Sequence, residues 1–570
     1  MNADQRGRHL YVVGSTGVGK SKLLEHLVRQ DIKAWPKSRC GLLLLDPHGS
    51  VYRNTIEWLA AGGRAALKRP VIPIDLTQDE WVVAYNPLRR RESARPSVVV
   101  GALVSAIVHV FGSNSTRRTP LMARWLQNTL RLLYDSQAAL TELVLLLENS
   151  AFRNSLIEAT SDPVARRDWQ NAALFSPEKF DDQIGSTLNR LQAFIRNELF
   201  EASFGQTETS LDLRRALDEG SIILVNCSQT GGKVSEEDCQ LFATLMLSDL
   251  WTAAKEREKA DTPKPFYVYI DEFQNFVTET IAKNLDQARG YGLHLTLAHQ
   301  YPKQLKNEGE AGVKIYDSVL ANASSKIVFR MEHPEDLESL AKWLYIRTVN
   351  PDKVQLELFS TKVLGHREEI RIIETITETH SHASDSAMSE DVSASIRDRE
   401  TRELPQHEVE QYDRLMKDAS GKVGLSFRKG MSSREASAES DGKSLAEVPM
   451  LIPLYGKEKS SVTLEPLDVQ WFRRMQELAS QDDREFVVRL VSMNSPLRVR
   501  THDVSAVRKD KKRIAAYLRR VYSKLDVAMP LLDAMRCIKE RQAKLIQDAE
   551  HKAGEEPTTA RRRVRSRSRS

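Results

Sequence analysis

A glycine-rich segment near the start of the chain, Gly14-Ser15-Thr16-Gly17-Val18-Gly19-Lys20-Ser21, constrains the fold more than any other feature. It fits the pattern G-x-x-x-x-G-K-[ST] and lies between an apolar run at residues 9–13 and a segment at 22–28 with the apolar spacing of one helical face. A loop of this kind points successive backbone N–H groups at a phosphate. Lys20 would reach the β- and γ-phosphates, and Ser21 would be a ligand of Mg²⁺. Because a chance glycine-rich turn would lack these flanks, the sequence predicts binding of a nucleoside triphosphate.

Length and composition describe a multidomain globular protein. The chain has 570 residues, 41% of them hydrophobic and 28% charged, so it is too long for one ordinary core and we expect two to four domains. The net charge of +5 permits a nucleic-acid partner without requiring one. The four cysteines are scattered without a CxxC pair. This distribution is typical of a reduced protein with neither a disulfide framework nor a zinc site.

Apolar runs separated by helical stretches predict an α/β fold with a mostly parallel sheet. The segment 71–76 is interrupted by a proline, so we expect it nearer an edge of the sheet. Residues 96–199 have helical periodicity and are interpreted as an α-helical insert. The predicted strands are residues 9–13, 41–46, 71–76, 221–226, 266–270, 293–299 and 326–330.

An acidic pair, Asp271-Glu272, ends the apolar run 266–270, where a second nucleotide motif is expected. A carboxylate at the carboxyl end of a strand can hold Mg²⁺, and a second carboxylate beside it can accept a proton from the water that attacks the γ-phosphate. An ordinary surface pair at a strand end is the alternative. Together with the phosphate loop, the pair predicts that Asp271 is the metal ligand and Glu272 the general base. A base favours ATP hydrolysis over nucleotide sensing.

Three further polar residues are candidates for the same reaction. Gln300 ends the next strand, and its amide could hydrogen-bond the γ-phosphate or the attacking water; a strand end without a ligand is the alternative. Arg289 precedes that strand and is a candidate for the arginine that neutralises charge in the transition state, or else a cation at a helix end. Arg330 is its rival. His48 lies where open α/β sheets bind ligands, or simply faces solvent, and we expect no metal site formed by His48, His380 and His382.

The chain beyond residue 344 differs in composition from the part before it. Residues 375–400 and 432–443 are rich in small polar and charged residues and are interpreted as flexible linkers. The arginine-rich end, 561–570, predicts a disordered tail that could bind polyanions or simply aid solubility. The ordered pieces predicted here are a strand at 369–373, a helix at 466–478, a hairpin formed by 485–492 and 497–501, and a charged helix at 509–547.

The segments GSTGVGKS, LLLLDPHG, YNPL, VYIDEF and ARGYGLHLTLAHQ occur in this order over residues 8–345 and resemble the HerA/FtsK superfamily of ring-forming ATPases. Within it the chain is most similar to the TraG/TraD coupling proteins of type IV secretion and to soluble HerA-like DNA translocases. The resemblance implies a RecA-like P-loop ATPase core, a homo-hexameric ring, and ATP-driven movement of DNA through the ring.

The same motif match assigns roles to individual residues. It implies that Lys20 and Ser21 bind phosphate and Mg²⁺, that Asp271 and Glu272 form the second nucleotide motif, and that Gln300 is the sensor glutamine. Arg289 corresponds to an arginine that acts on a neighbouring subunit. Asp46 and His48 match a family motif to which we assign no role.

Coupling proteins usually carry transmembrane helices before the phosphate loop, whereas here 13 residues precede Gly14. The longest apolar run, 98–110, is shorter than the roughly 20 residues that cross a bilayer. We therefore expect no signal peptide or transmembrane segment, and a cytoplasmic location, either free or recruited to the inner face of the membrane.

The expected function is ATP-dependent translocation of DNA in conjugative or mobile-element transfer, with a relaxase, secretion channel or nuclease as possible partners. The alternatives are a protein-handling or nuclease-partnered HerA-like motor and a nucleotide-switched scaffold. The expected organisation is an ATPase core at 1–95 and 206–345, a helical insert at 96–205, a strand with a flexible linker at 346–445, a small mixed C-terminal region at 446–550 and a disordered basic tail at 551–570.

Overall fold

The computed structural model describes residues 3–91, 94–111, 119–257, 263–276, 285–306, 309–377, 442–505, 507 and 509–566. The chain divides into two compact units. The larger unit combines Met1–Asn350 with Pro466–Ser570, and the smaller one is Pro351–Glu465. The ATPase core, the helical insert and the last hundred residues therefore share one unit, which differs from the expected separate region at 446–550.

Nine strands of the larger unit form one sheet in the order β12-β11-β8-β1-β7-β6-β2-β5-β3. All pairings from β8 to β3 are parallel, while β11 is antiparallel to both β8 and β12. The strands of the chain are β1 Leu10–Val13, β2 Gly41–Asp46, β3 Val71–Asp75, β4 Trp81–Val83, β5 Ile222–Asn226, β6 Phe266–Ile270, β7 Leu293–His299, β8 Ser325–Phe329, β9 Val354–Thr377, β10 Gly442–Leu464, β11 Glu485–Arg489, β12 Leu497–Arg500 and β13 Ala528–Pro530.

The central strands are buried on both faces, as continuous apolar runs predict for a parallel sheet. In β1, Leu10 and Val12 belong to one apolar core, while Tyr11 and Val13 belong to another on the opposite face. Strand β2 divides its leucines between the same two cores. The predicted mostly parallel α/β fold is confirmed, and β3 lies at the edge of the sheet as expected.

Helices cover both faces of this sheet, and the predicted helical insert is present. The apolar side chains of the insert join the same core as β5, β6 and the long helix after β5. The helices are α1 Ala3–Arg6, α2 Lys20–Ser38, α3 Ser50–Ala61, α4 Pro96–Phe111, α5 Thr119–Asp135, α6 Glu142–Glu148, α7 Ser150–Ala159, α8 Pro163–Ala172, α9 Pro177–Phe180, α10 Ser186–Ile195, α11 Glu198–Phe204, α12 Leu213–Glu219, α13 Glu236–Lys255, α14 Leu285–Ala288, α15 Pro302–Lys306, α16 Gly309–Asn322, α17 Pro334–Tyr345, α18 Leu467–Ala479, α19 Lys511–Tyr522 and α20 Leu531–Ser566.

The C-terminal part returns to the ATPase core. The predicted helix at 466–478 is α18, and the predicted hairpin is β11 and β12, with β11 joining the edge of the sheet at β8. The single charged helix expected at 509–547 is wrong, because β13 interrupts it by pairing with β4. Residues 551–566, where a disordered tail was expected, continue α20. Residues 567–570 lie outside the described part of the chain.

In its described residues, the smaller unit contains a two-stranded antiparallel ribbon of β9 and β10. The predicted strand at 369–373 lies inside β9, which is 24 residues long. Residues 375–377 of the expected linker belong to β9, and its remaining residues up to 400 lie outside the described part of the chain. In a search of the described residues, no helix combined the length and the apolar character that crossing a bilayer requires.

Candidate nucleotide-binding site

Four adjacent parallel strands, in the order β1-β7-β6-β2, bring the predicted residues to one edge of the sheet. The phosphate loop follows β1, Gln300 follows β7, and the acidic pair follows β6. Residues 46–49 end β2 and begin the connection to α3. Because the carboxyl ends of parallel strands meet at the same edge, the structure brings these sequence-distant motifs into one site.

The phosphate loop is tightly held at the start of α2. Its N–H group at Ser15 donates to the carbonyl of Arg330 (3.0 Å), and a Cβ atom at Gly14 would lie 2.5 Å from the Cβ of Phe329, so only glycine fits there. Lys20 is 6% exposed and donates from Nζ to the carbonyls of Gly14 (2.6 Å) and Ser15 (3.0 Å). The hydroxyl of Ser15 is buried with no hydrogen-bond partner among the described residues. An anion bound in the loop would supply that partner.

The two predicted metal ligands lie together. Ser21 Oγ is 3.4 Å from Asp271 Oδ2, and Asp271 is 1% exposed. Burial, together with the neighbouring carboxylates of Asp46 and Glu272, raises the pKa of Asp271 to about 7. A hydroxyl beside a carboxylate is a suitable donor pair for Mg²⁺, and a bound cation would favour the ionised form of Asp271. These two residues therefore fit the metal that accompanies a nucleoside triphosphate.

Glu272 is held in an uncommon conformation. Its φ is 47°, in the left-handed region that residues other than glycine rarely adopt, and such positions concentrate at functional sites. Its Oε2 accepts a hydrogen bond from Gln274 Nε2 (2.9 Å), and its Oε1 accepts one from Gln300 Nε2 (2.9 Å). His48 Nε2 is 3.7 Å from the same Oε1. Burial opposes ionisation, but these donors outweigh it and lower the pKa of Glu272 to about 2.

Gln300 connects the acidic pair to the phosphate loop. Its Nε2 donates to Glu272, while its Oε1 accepts from Thr16 Oγ1 (2.7 Å). Strand β7, which Gln300 follows, lies between β1 and β6, as expected for a neighbour of the acidic strand. A single amide therefore contacts both halves of the site and could respond to a group placed between them.

The structure separates the roles of Asp46 and His48. Asp46 is fully buried and accepts from the N–H groups of His48 (3.1 Å), Gly49 (2.9 Å) and Tyr52 (2.9 Å). It therefore shapes the turn before α3, as carboxylates do at helix starts. The imidazole of His48 faces Glu272, and the nearby carboxylate raises the pKa of His48. Asp46 positions His48, and His48 contacts the acidic pair.

The two candidate arginines occupy opposite edges of the sheet. Arg330 follows β8 on the phosphate-loop side, where its guanidinium pairs with Asp483 (2.8 Å). Arg289 is exposed and precedes β7, a strand of seven residues that spans about 23 Å. Within one chain, Arg289 is thus distant from the phosphate loop. The structure therefore does not bring Arg289 together with the other predicted site residues of its own chain.

The sequence carries no signal for the contact that Arg484 makes with the phosphate loop. The N–H group of Arg484 donates to the carbonyl of Val18 (2.8 Å). No sequence motif predicts this contact, because it depends on the pairing of β11 with β8, whose residues are more than 150 positions apart in the chain.

Two family models match the chain. The model described as the central domain of the helicase HerA matches residues 4–61, and the model described as the TraM recognition site of TraD and TraG matches residues 265–411. The first match contains the phosphate loop and Asp46, and the second contains the acidic pair and Gln300. These matches confirm the resemblance to HerA-type and TraG/TraD-type ATPases.

The chain is also similar to several solved structures at low sequence identity. The bacterial conjugative coupling protein TrwBdeltaN70 is 15% identical, with 90% of this chain and 89% of that chain covered and a TM-score of 0.45. The plasmid coupling protein TrwB in complex with ADP and Mg²⁺ is 17% identical, covering 60% of this chain and 75% of that one, with a TM-score of 0.40. VirB4 of Thermoanaerobacter pseudethanolicus is 14% identical, covering 59% and 80%, with a TM-score of 0.38. A comparison with curated proteins gave no match.

Proposed function

We propose that this chain is an ATP-hydrolysing motor of the coupling-protein type that moves DNA. One observation carries the proposal: the phosphate loop, the acidic pair and Gln300 meet at one sheet edge, where hydrogen bonds from Thr16 to Gln300 and from Gln300 to Glu272 join them. The two family models cover the two halves of this site and support the same assignment.

Each residue of the site has a defined task in hydrolysis. Lys20 and the N–H groups of the phosphate loop would bind the triphosphate, and Ser21 with Asp271 would hold Mg²⁺, which neutralises charge on the phosphates. Glu272 would accept the proton of the attacking water. Its two oxygens already accept from Gln274 and Gln300, and each can accept a further hydrogen bond, so Gln300 would orient Glu272 while it takes up that water. Because Gln300 also contacts Thr16 of the phosphate loop, it would thereby link hydrolysis to the presence of a bound triphosphate.

A ring of identical subunits would bring Arg289 to a nucleotide. Its position at the edge opposite to the phosphate loop prevents it from acting within its own chain, while its exposure leaves it free to reach another. An arginine supplied by a neighbour stabilises the charge of a phosphoryl-transfer transition state. This arrangement supports a closed homo-oligomer, and a hexamer is the assembly that the resemblance implies.

Mixing two inactive variants tests this role of Arg289. We expect Arg289→Ala to lower the ATPase rate by about a thousandfold, as loss of a trans-acting arginine does. Lys20→Ala should be inactive too, yet it keeps Arg289. In mixed assemblies, an intact site can meet an intact arginine, so the mixture should regain activity that neither variant shows alone. The measurement is the steady-state ATPase rate across mixing ratios.

The control is Arg347→Ala, which removes another exposed arginine and should leave the rate unchanged. A mixture as inactive as its components would argue against action between subunits. If Arg289→Ala alone were as active as the unaltered protein, Arg289 would have no part in the reaction, and Arg330 would be the remaining candidate.

The DNA substrate rests on the resemblance and on the family model of the TraM recognition site, which concerns conjugative coupling proteins. We expect the ATPase rate to rise several-fold when DNA is added, because a translocase couples ATP hydrolysis to movement of its substrate. The measurement is the ATPase rate with single-stranded, duplex and no DNA, beside particle mass with and without nucleotide. Hexamers whose rate is indifferent to DNA would contradict the proposal, and stimulation by a protein substrate instead would favour the protein-handling alternative.

A further inference from the structure

Arg484, which immediately precedes β11, packs against the phosphate loop beside Gly19. A Cβ atom built on Gly19 would lie 3.4 Å from the Cα of Arg484 and 3.6 Å from its Cγ. Gly19 immediately precedes Lys20, so Arg484 packs beside the residues that bind phosphate. The contact comes from the C-terminal part of the chain, which reaches this edge because β11 runs antiparallel to β8.

The backbone of Arg484 is fixed on both sides. Its N–H group donates to the carbonyl of Val18 (2.8 Å), and its carbonyl accepts from the N–H group of Thr501 (2.8 Å). Its φ is 72°, in the left-handed region that an arginine rarely adopts. Such a conformation persists only where the surroundings enforce it, and these positions concentrate at ligand sites. The position next to the phosphate loop is thus occupied by an arginine, although glycine would adopt this φ without strain.

The guanidinium of Arg484 is available for another partner. It pairs with Asp503, but the side chain of Asp503 is 87% exposed and that of Arg484 is 37% exposed. Ion pairs this open to water contribute little stability. A phosphate can accept two parallel hydrogen bonds from a guanidinium and can carry more negative charge than the single carboxylate of Asp503. Exchange of Asp503 for a phosphate would therefore cost little.

We propose that Arg484 binds the phosphate chain of the nucleotide held in the loop of its own chain. The inference rests on the proposed nucleotide site. In the sheet order, β11 lies two strands from β1 on one side, and β6 with the acidic pair lies two strands from β1 on the other. Arg484 thus approaches from the side away from the scissile phosphate. It contacts phosphates that ATP and ADP share, and it acts on binding rather than on the chemical step.

Arg484→Gly is the informative variant, because glycine adopts a φ of 72° without strain and keeps both main-chain hydrogen bonds while removing the side chain. We expect the Kd for ADP and the KM for ATP each to rise about tenfold, the loss of one charge-assisted interaction, with kcat nearly unchanged. Arg484→Lys should fall between, because lysine keeps the charge without the planar fork. Unchanged affinity in Arg484→Gly would overturn the inference.

Two further variants keep the result interpretable. Arg498→Ala removes a neighbouring exposed arginine that pairs with Glu485, and its nucleotide affinity should match that of the unaltered protein. Lys20→Ala separates the two levels of the proposal. If Lys20→Ala loses binding and Arg484→Gly does not, Arg484 has no role and the nucleotide site stands. If both bind normally, the nucleotide site itself is wrong.

Discussion

Glu272→Gln should lower the rate of ATP turnover by about 10²–10⁴-fold, the usual contribution of a positioned general base, while nucleotide still binds. Glutamine has the shape of glutamate but cannot accept the proton of the attacking water. A protein that binds ATP and fails to hydrolyse it is the signature expected. The measurements are the steady-state ATPase rate and the Kd of ATP for the variant.

The surroundings of Glu272 can accommodate the amide. The side-chain carbonyl of Gln274 is buried without a hydrogen-bond partner among the described residues, so this amide can turn over and accept from the new NH₂ group. The contact from Gln300 to the other oxygen then stays as it is. The turned amide places its own NH₂ group where its oxygen had no partner, so the substitution costs about one hydrogen bond and we expect the folded state to survive.

Glu219→Gln is the matched control, because it makes the same isosteric change at an exposed carboxylate that pairs with Arg215 at the end of α12. Its turnover should equal that of the unaltered protein. If Glu272→Gln hydrolysed ATP normally, Glu272 would not be the base, and unchanged biological function in that variant would revive the nucleotide-switched scaffold. Loss of binding along with turnover would assign Glu272 to the nucleotide pocket instead.

The sequence was sufficient for the parts of the site that follow strands. Glycines, a lysine and a hydroxyl residue in fixed order predict the phosphate loop, and an acidic pair after an apolar run predicts the second nucleotide motif. Parallel strands then force these motifs to one edge, so the distance of 3.4 Å between Ser21 and Asp271 follows from topology as much as from local pattern. For the same reason Gln300 could be placed beside Glu272 in advance.

Contacts made by the C-terminal part could not be anticipated in this way. The approach of Arg484 to Val18 depends on β11 joining β8, a pairing across more than 150 residues with no local signal. Patterns of apolar residues predicted the hairpin but not the sheet that it joins. The role of Asp46 was also hidden, because a carboxylate that accepts three backbone N–H groups looks in sequence like one that binds a ligand.

Lys20→Ala should remove nucleotide binding, with the Kd for ATP rising at least about 100-fold, because the ammonium group would make charge-assisted contacts with two phosphates in the proposed site. Burial lowers the pKa of Lys20, while the carboxylates of Glu272 and Asp271 oppose that shift. The positive charge of Lys20 is thus buried and faces the carboxylates of Glu272 and Asp271. Without the ammonium group, those carboxylates would repel the triphosphate.

Thermal unfolding gives a readout of binding that does not depend on turnover. A ligand that binds only the folded state raises the free energy of unfolding by RT ln(1 + [L]/Kd), so ATP should raise the Tm of the unaltered protein and leave that of Lys20→Ala unchanged. The matched control is Lys22→Ala, because Lys22 is two residues further along α2, is exposed, and pairs with Glu25. Its Tm should rise with ATP as in the unaltered protein. Should Lys20→Ala gain the same stabilisation, the nucleotide would bind elsewhere, and the roles given to Glu272 and Arg484 would lose their basis.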